Sequence, residues 1–200
     1  CRKNNEIYLC FGKQTLLAVS ELKIKGTHNI SNALAALALG HEAGIPQDAM
    51  LQALTYFPGL PHRSQWVAEK NNVTWYNDSK ATNVGAAIAA INGIPANSIV
   101  LIAGGQSKGQ DFSPLRDAVK NKVKHLILLG EDADLIKSEL SALTKISVVN
   151  DLTEAVKKAN DIAKPGDAVL LSPACASFDM FTGFEQRGDM FIVAVNEVLK

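Results

Sequence analysis

An α/β protein with a mostly parallel sheet covered by helices on both faces is what this sequence predicts. Three observations lead there. Short, continuously apolar runs recur at Ile99–Ala103, Leu126–Leu129, Ile146–Val149 and Ala168–Leu171, and strands apolar on both sides belong to parallel sheets buried on both faces. Between them lie stretches with helical spacing near Leu115–Val123, Ala133–Leu140 and Leu152–Ala163, and a last helix is expected over about Asp189–Leu199. The run Phe57-Pro58-Gly59-Leu60-Pro61 breaks any helix and reads as a linker between two regions, 1–60 and 61–200.

In the first region, Ile7–Phe11 and Leu16–Val19 read as strands of a small sheet that is not complete in itself. A helix follows over about His28–Glu42, with Thr27 as N-cap and Gly44 near its end. Ile30, Ala33, Leu34, Leu37 and Ala38 share one face of it and are expected to be buried. Pro46 opens a second helix running to about Tyr56. Beyond the linker, Gln65–Glu69 and Val73–Tyr76 read as strands around an Asn71-Asn72 turn. Val84, Ala87, Ile88 and Ile91 mark a helix closed near Gly93 and Pro95.

The 200 residues carry 20 basic and 20 acidic side chains, for a formal net charge of zero. That balance offers no electrostatic footprint for nucleic acid or an anionic membrane. No apolar run approaches the roughly 20 residues needed to cross a bilayer. Cys1, Cys10 and Cys175 form no C-x-x-C pair, and so sparse a set fits a reducing cytoplasm better than a disulfide scaffold. The N-terminus has neither a starting methionine nor the apolar core of a signal peptide, so the chain reads as a piece of something longer.

In parallel sheets, ligands bind at the carboxyl ends of the strands, and three loops there carry polar chemistry. Asn77-Asp78-Ser79-Lys80-Ala81-Thr82-Asn83 joins a strand to a helix start, where free N–H groups favour anions. Lys80 and Thr82 could hold a carboxylate and Asp78 a sugar hydroxyl; helix capping accounts equally for the Asp, Ser, Thr and Asn, though not for Lys80. Ala103-Gly104-Gly105-Gln106-Ser107-Lys108-Gly109 combines glycines, which let backbone approach a ligand closely, with the charge of Lys108. It is neither a Walker A loop nor a G-x-G-x-x-G turn. The third loop, Leu171 to Phe181, offers the hydroxyl of Ser177. Cys175 has no neighbouring histidine and is read as packing; Ser177 lies in no G-x-S-x-G elbow. Nearer the linker, Asn29 and Asn32 lie three apart on a helix and could read an adenine edge, or simply be solvated. Arg63 could pair with phosphate bidentately.

The order of these features is more specific than any one of them. Gly26-Thr27-His28-Asn29-Ile30-Ser31-Asn32-Ala33-Leu34-Ala35-Ala36, then Pro61-His62-Arg63, then Asp78-Ser79-Lys80-Ala81-Thr82-Asn83 resembles the signature of the Mur ligase superfamily, which includes folylpolyglutamate synthase. The loop Gly104–Lys108 and the run Leu171–Gly188, ending Phe184-Glu185-Gln186-Arg187-Gly188, look like the branch that adds D-glutamate. The resemblance covers essentially the whole chain. It implies the tail of a central ATPase domain over 1–60 and a Rossmann-like glutamate-binding domain over 61–200. It implies an ATP- and Mg2+-dependent, monomeric, cytoplasmic ligase that joins D-glutamate to UDP-N-acetylmuramoyl-L-alanine through an acyl phosphate. Carried over by position, Asn29, Asn32, Arg63 and Asp78 would contact ATP, while Lys80, Thr82, Lys108, Ser177 and Phe184 would form the D-glutamate pocket. The family's P-loop, magnesium ligands and carbamylated lysine have no counterpart here, so these residues alone are not expected to ligate. The alternatives are a folylpolyglutamate-type ligase and a stand-alone ligand-binding module.

Overall fold

The computed structural model describes residues 1–24 and 26–200, with His28 described through its backbone alone. The chain divides into two compact units, Cys1–Gly59 and Leu60–Lys200. Among the described residues no helix is long and apolar enough to cross a membrane.

The first unit holds an antiparallel sheet of β1 (Arg2–Lys3), β2 (Glu6–Phe11) and β3 (Gln14–Ala18), with helices α1 (Thr27–Glu42) and α2 (Gln47–Tyr56). Leu9 and Leu17 from the sheet, Leu22, and Ala33 and Leu37 from α1 form its core. Three expectations are corrected here. Thr27 lies inside α1, and Gly26, at φ 103°, takes the cap position. Only part of the expected α1 face is covered: Leu34 is 41% exposed and Ala38 is also exposed. Both border a cavity of about 240 Å³ together with Phe11, His41 and Met50. The N-terminal cysteines are not free thiols. Pairing of β1 with β2 brings Cys1 beside Tyr8, and Cys1 and Cys10 form a disulfide with Cα atoms 6.3 Å apart.

The second unit is a six-stranded sheet in the order β4-β5-β9-β6-β7-β8, where β4 is Gln65–Lys70, β5 Val73–Asn77, β6 Ile99–Gly104, β7 Val123–Leu129, β8 Lys145–Val148 and β9 Ala168–Leu171. β4 and β5 are an antiparallel hairpin; the remaining pairs are parallel. The hairpin turn uses Asn71 and Asn72 at φ 53° and 59°, the left-handed conformation that asparagine tolerates in two-residue turns. Period-two alternation sorts the strand side chains. Leu101, Ala103, Leu126, Leu128 and Leu170 face one way, packing with α3 (Val84–Gly93), α4 (Arg116–Lys122) and α5 (Ala133–Leu140). Val100, Ile102, Ile127, Leu129, Val169 and Leu171 face the other, against α6 (Leu152–Ile162) and α7 (Phe184–Val198). Each buried Val, Leu or Ile among these stabilises the fold by about 1.5–3 kcal/mol.

The last helix begins at Phe184, five residues before the expected Asp189. Gly183 is extended, and Thr182 donates from both its N–H and its hydroxyl to Gln186 Oε1, at 2.7 and 3.1 Å. The local cap therefore lies before Phe184, and Phe184-Glu185-Gln186-Arg187-Gly188 is the opening of α7.

Candidate functional site

Strand order explains why loops far apart in sequence meet. β9 lies between β5 and β6, so the loop leaving β9 is flanked by the loops leaving β5 and β6. These are the three polar loops, at the place where parallel sheets bind ligands. Lys80 and Thr82 from the first, Lys108 from the second, Ser177 from the third and Phe184 at the start of α7 line one cavity of about 380 Å³. Such a volume accommodates a small molecule. Lys80 Nζ lies 3.9 Å from the centroid of the Phe184 ring, and Lys108 Nζ lies 5.7 Å from that of Phe178. Among the described residues neither ammonium pairs with a carboxylate. Two cations and two hydroxyls lining one space supply the donors that a carboxylate needs. Glu185 is the acidic side chain among the lining residues.

The loops are locked to one another by hydrogen bonds. Gln106 and Ala176 exchange backbone bonds of 3.0 Å in each direction. Asp132 Oδ2 accepts from Ser107 N at 2.6 Å, fixing the residue before Lys108. A β-carbon at Gly104 (φ +117°) would meet Leu129 O at 2.0 Å, and one at Gly105 (φ +123°) would meet Ala176 O at 2.2 Å. These glycines make room for neighbouring backbone, where the sequence had pointed to a ligand.

Arg187, only 3% exposed, is a residue that sequence reading missed. Its Nε donates to Ser79 Oγ and its terminal nitrogens to the carbonyls of Ser79, Cys175 and Ala176, at 2.9–3.3 Å. It thus ties the residue before Lys80 to the residue before Ser177. Burial lowers its pKa to about 10, so it stays charged at neutral pH. Burial likewise pushes the Cys175 thiol up to about 12, which keeps it protonated and unreactive.

Beside the pocket loop, Asp78 is 6% exposed and accepts from Ser64 N and from Ser172 Oγ, each at 2.9 Å. Ser64 and His62 flank the exposed Arg63 at φ 44° and 60°. That strained turn is held by Asp78, by Gln65 Oε1 accepting from His62 N at 2.9 Å, and by Lys80 N donating to His62 O at 3.0 Å. His62 also bonds Asn77 Nδ2 at 3.0 Å and meets the Phe184 ring edge-on. Arg63 and Asp78 therefore share one turn next to the pocket. Asn29 and Asn32 lie in the first unit, on α1, where Asn32 Nδ2 donates to Asn29 Oδ1 at 3.2 Å.

Burial raises the Asp78 pKa from 3.8 to about 6, against the smaller opposing pull of its hydrogen bonds and Arg63. Between those values the folded chain holds a proton that the unfolded chain has released. This contribution is fully present below pH 3.8 and is lost as pH rises through about 6. Asp78→Asn removes the buried charge and should stabilise the chain at pH 7 by up to roughly 2–3 kcal/mol. Melting curves of the two proteins should converge towards pH 4.

Comparison with known proteins agrees with this architecture. A family profile described as "Mur ligase, glutamate ligase domain" matches residues 62–175. UDP-N-acetylmuramoylalanine–D-glutamate ligases are similar along nearly all of the chain. The Pseudomonas putida protein is 54% identical over 96% of this chain and 43% of its own length, and that of Legionella pneumophila 53% over 96% and 44%. The chain thus spans less than half the length of these curated relatives. Among solved structures, UDP-N-acetylmuramate-alanine ligase from Thermotoga maritima superposes with a TM-score of 0.67 at 19% identity, covering 93% of this chain and 41% of that one. Folylpolyglutamate synthase from the same organism gives 0.56 at 18%, over 93% and 41%. Both share the fold, and, with more than half of its residues matched by the profile, the chain belongs to the Mur ligase family.

Proposed function

We propose that this chain forms the amino-acid-accepting part of a cytoplasmic, monomeric ligase that adds D-glutamate to UDP-N-acetylmuramoyl-L-alanine for peptidoglycan synthesis. The observation that carries the reading is the cavity in which Lys80, Thr82, Lys108, Ser177 and Phe184 converge. D-Glutamate brings two carboxylates; two ammonium groups, assisted by the hydroxyls of Thr82 and Ser177, neutralise both. Phe184 walls the site and holds Lys80 in place. The amine stays clear of these groups, gives one proton to solvent before it attacks the carbonyl carbon of an acyl phosphate, and gives a second to solvent as the amide forms. A C–N bond forms, and the C–O bond to phosphate breaks with its electron pair leaving on phosphate.

ATP supplies the activating phosphoryl group in this reading. Residues 61–200 are the glutamate-binding domain, and residues 1–60 belong to the ATPase domain. Arg63 presents its guanidinium to the nucleotide phosphates, and Asp78 serves that wall by fixing Ser64 and thus the Arg63 turn. The paired amides of Asn29 and Asn32 offer donors and acceptors suited to adenine. The described residues contain no cluster of three His, Cys, Asp or Glu able to hold a metal. The Mg2+ ligands are assigned, with the P-loop, to the part of the relatives that this chain does not cover.

Phosphate release by the full-length protein tests this. It should require D-glutamate and UDP-N-acetylmuramoyl-L-alanine, while residues 1–200 alone should give none. Turnover with L-glutamate and a folate in their place would assign the pocket to a folylpolyglutamate-type ligase and overturn the reading.

A further inference from the structure

We propose that Gln110 is a positioning residue that holds the three pocket loops in register. Its backbone continues the loop that carries Lys108. Its side-chain Oε1 accepts from Val84 N at 3.0 Å, at the start of α3, two residues after Thr82. Its Nε2 donates to Ala174 O at 2.5 Å, three residues before Ser177. One amide therefore touches the third loop and the helix start that follows the first loop at once.

Each end of that amide meets a specific need. The first N–H groups of a helix have no partner within it. Asn83 caps α3 by accepting from Ala86 N, which leaves Val84 N to Gln110. Ala174 is a non-glycine residue at φ 59° and is almost fully buried, so its peptide is strained and its carbonyl needs a partner. The other ties join the loops only in pairs. Gln106 joins the second loop to the third, and Arg187 joins the first to the third. Among the described residues, the amide of Gln110 is the side chain that, from the end of the second loop, bonds both the third loop and the helix start that closes the first.

The requirement is for an amide of this length. Glutamate would keep the acceptor for Val84 but turn a carboxylate oxygen towards the Ala174 carbonyl, and asparagine is one methylene short. The consequence for D-glutamate rests on the pocket reading above, whereas the clip itself does not.

Amide NMR spectra of residues 1–200 test it, comparing the unaltered chain with Gln110→Ala and Gln110→Glu. In Gln110→Ala, the signals of Thr82, Lys108 and Ser177 should move together and Val84 exchange should quicken. D-Glutamate should bind about tenfold more weakly, as expected when binding groups are misplaced by a fraction of an ångström to an ångström. Gln110→Glu should restore slow Val84 exchange without restoring the Ser177 signal or the affinity, a split that general loss of stability would not produce. If the alanine variant fails to fold, the near-isosteric glutamate variant carries the test. Shifts confined to Val84 and the neighbours of residue 110, or unchanged D-glutamate affinity in both variants, would overturn the proposal. Joint loop shifts in a chain that does not bind D-glutamate at all would leave the clip standing and count against the pocket reading instead.

Discussion

Arg187→Met should destabilise the second unit by about 4–5 kcal/mol, near the upper end for a single substitution. Methionine fills much of the same space, so the loss is polar. The carbonyls of Ser79 and Cys175 and the hydroxyl of Ser79 would lose their donor in a site that water does not reach, while the Ala176 carbonyl keeps only the N–H of Gln106. Each buried acceptor left unpaired costs on the order of 1–3 kcal/mol. A domain of this size has a total stability of only about 5–15 kcal/mol, so the variant should unfold at markedly lower urea. Arg187→Lys should fall between the two, because one ammonium cannot span Ser79 and Cys175 as a planar guanidinium does. A methionine variant with an unaltered urea midpoint would show that Arg187 is not the buttress of these loops.

Lys80→Ala should weaken D-glutamate binding by about 10- to 100-fold, the range expected for one lost charge-assisted hydrogen bond of ~1.5–3 kcal/mol. It removes the ammonium, which packs 3.9 Å over Phe184, so that ring also loses its neighbour. Lys108→Ala should act in the same direction, about tenfold by the same measure, since its ammonium sits 5.7 Å from an exposed ring and is less tightly preset. In the full-length ligase proposed above, both changes should appear mainly in KM for D-glutamate. On the proposed reading each lysine serves its own carboxylate, so the two losses should add in free energy in the double variant. Unchanged D-glutamate kinetics for either alanine variant would remove that lysine from the pocket.

What was legible in the sequence follows from the range of the forces involved. Apolar strands such as Ile99–Gly104 and Ala168–Leu171 declare themselves because burial on both faces requires an unbroken run. Two of the polar loops were visible because Lys108 and Ser177 each follow such a strand, and the third because Lys80 follows the hairpin strand Val73–Asn77 at a helix start. The start of α7 was not, because Phe184 to Gly188 have no helical apolar spacing and the cap depends on Gln186 reaching back to Thr182. Arg187 and Gln110 were hidden for a related reason. Their partners are backbone groups, and for Arg187 also the Ser79 hydroxyl, brought close by strand order, up to 108 residues away in the case of Ser79. The exposure of Leu34 could not be read from helical spacing, which shows a shared face but not what covers it. The Cys1–Cys10 disulfide depends on the β1–β2 register, which cysteine spacing does not encode.

Titrating residues 1–200 with D-glutamate while following backbone amide signals addresses the central claim most directly. Saturable shifts should concentrate at Lys80, Thr82, Lys108, Ser177 and Phe184, with L-glutamate binding more weakly at the same residues. D-Glutamate shifts that gather elsewhere, on the first unit or at Arg63 with these five unmoved, would contradict the assignment of this cavity to the amino-acid substrate.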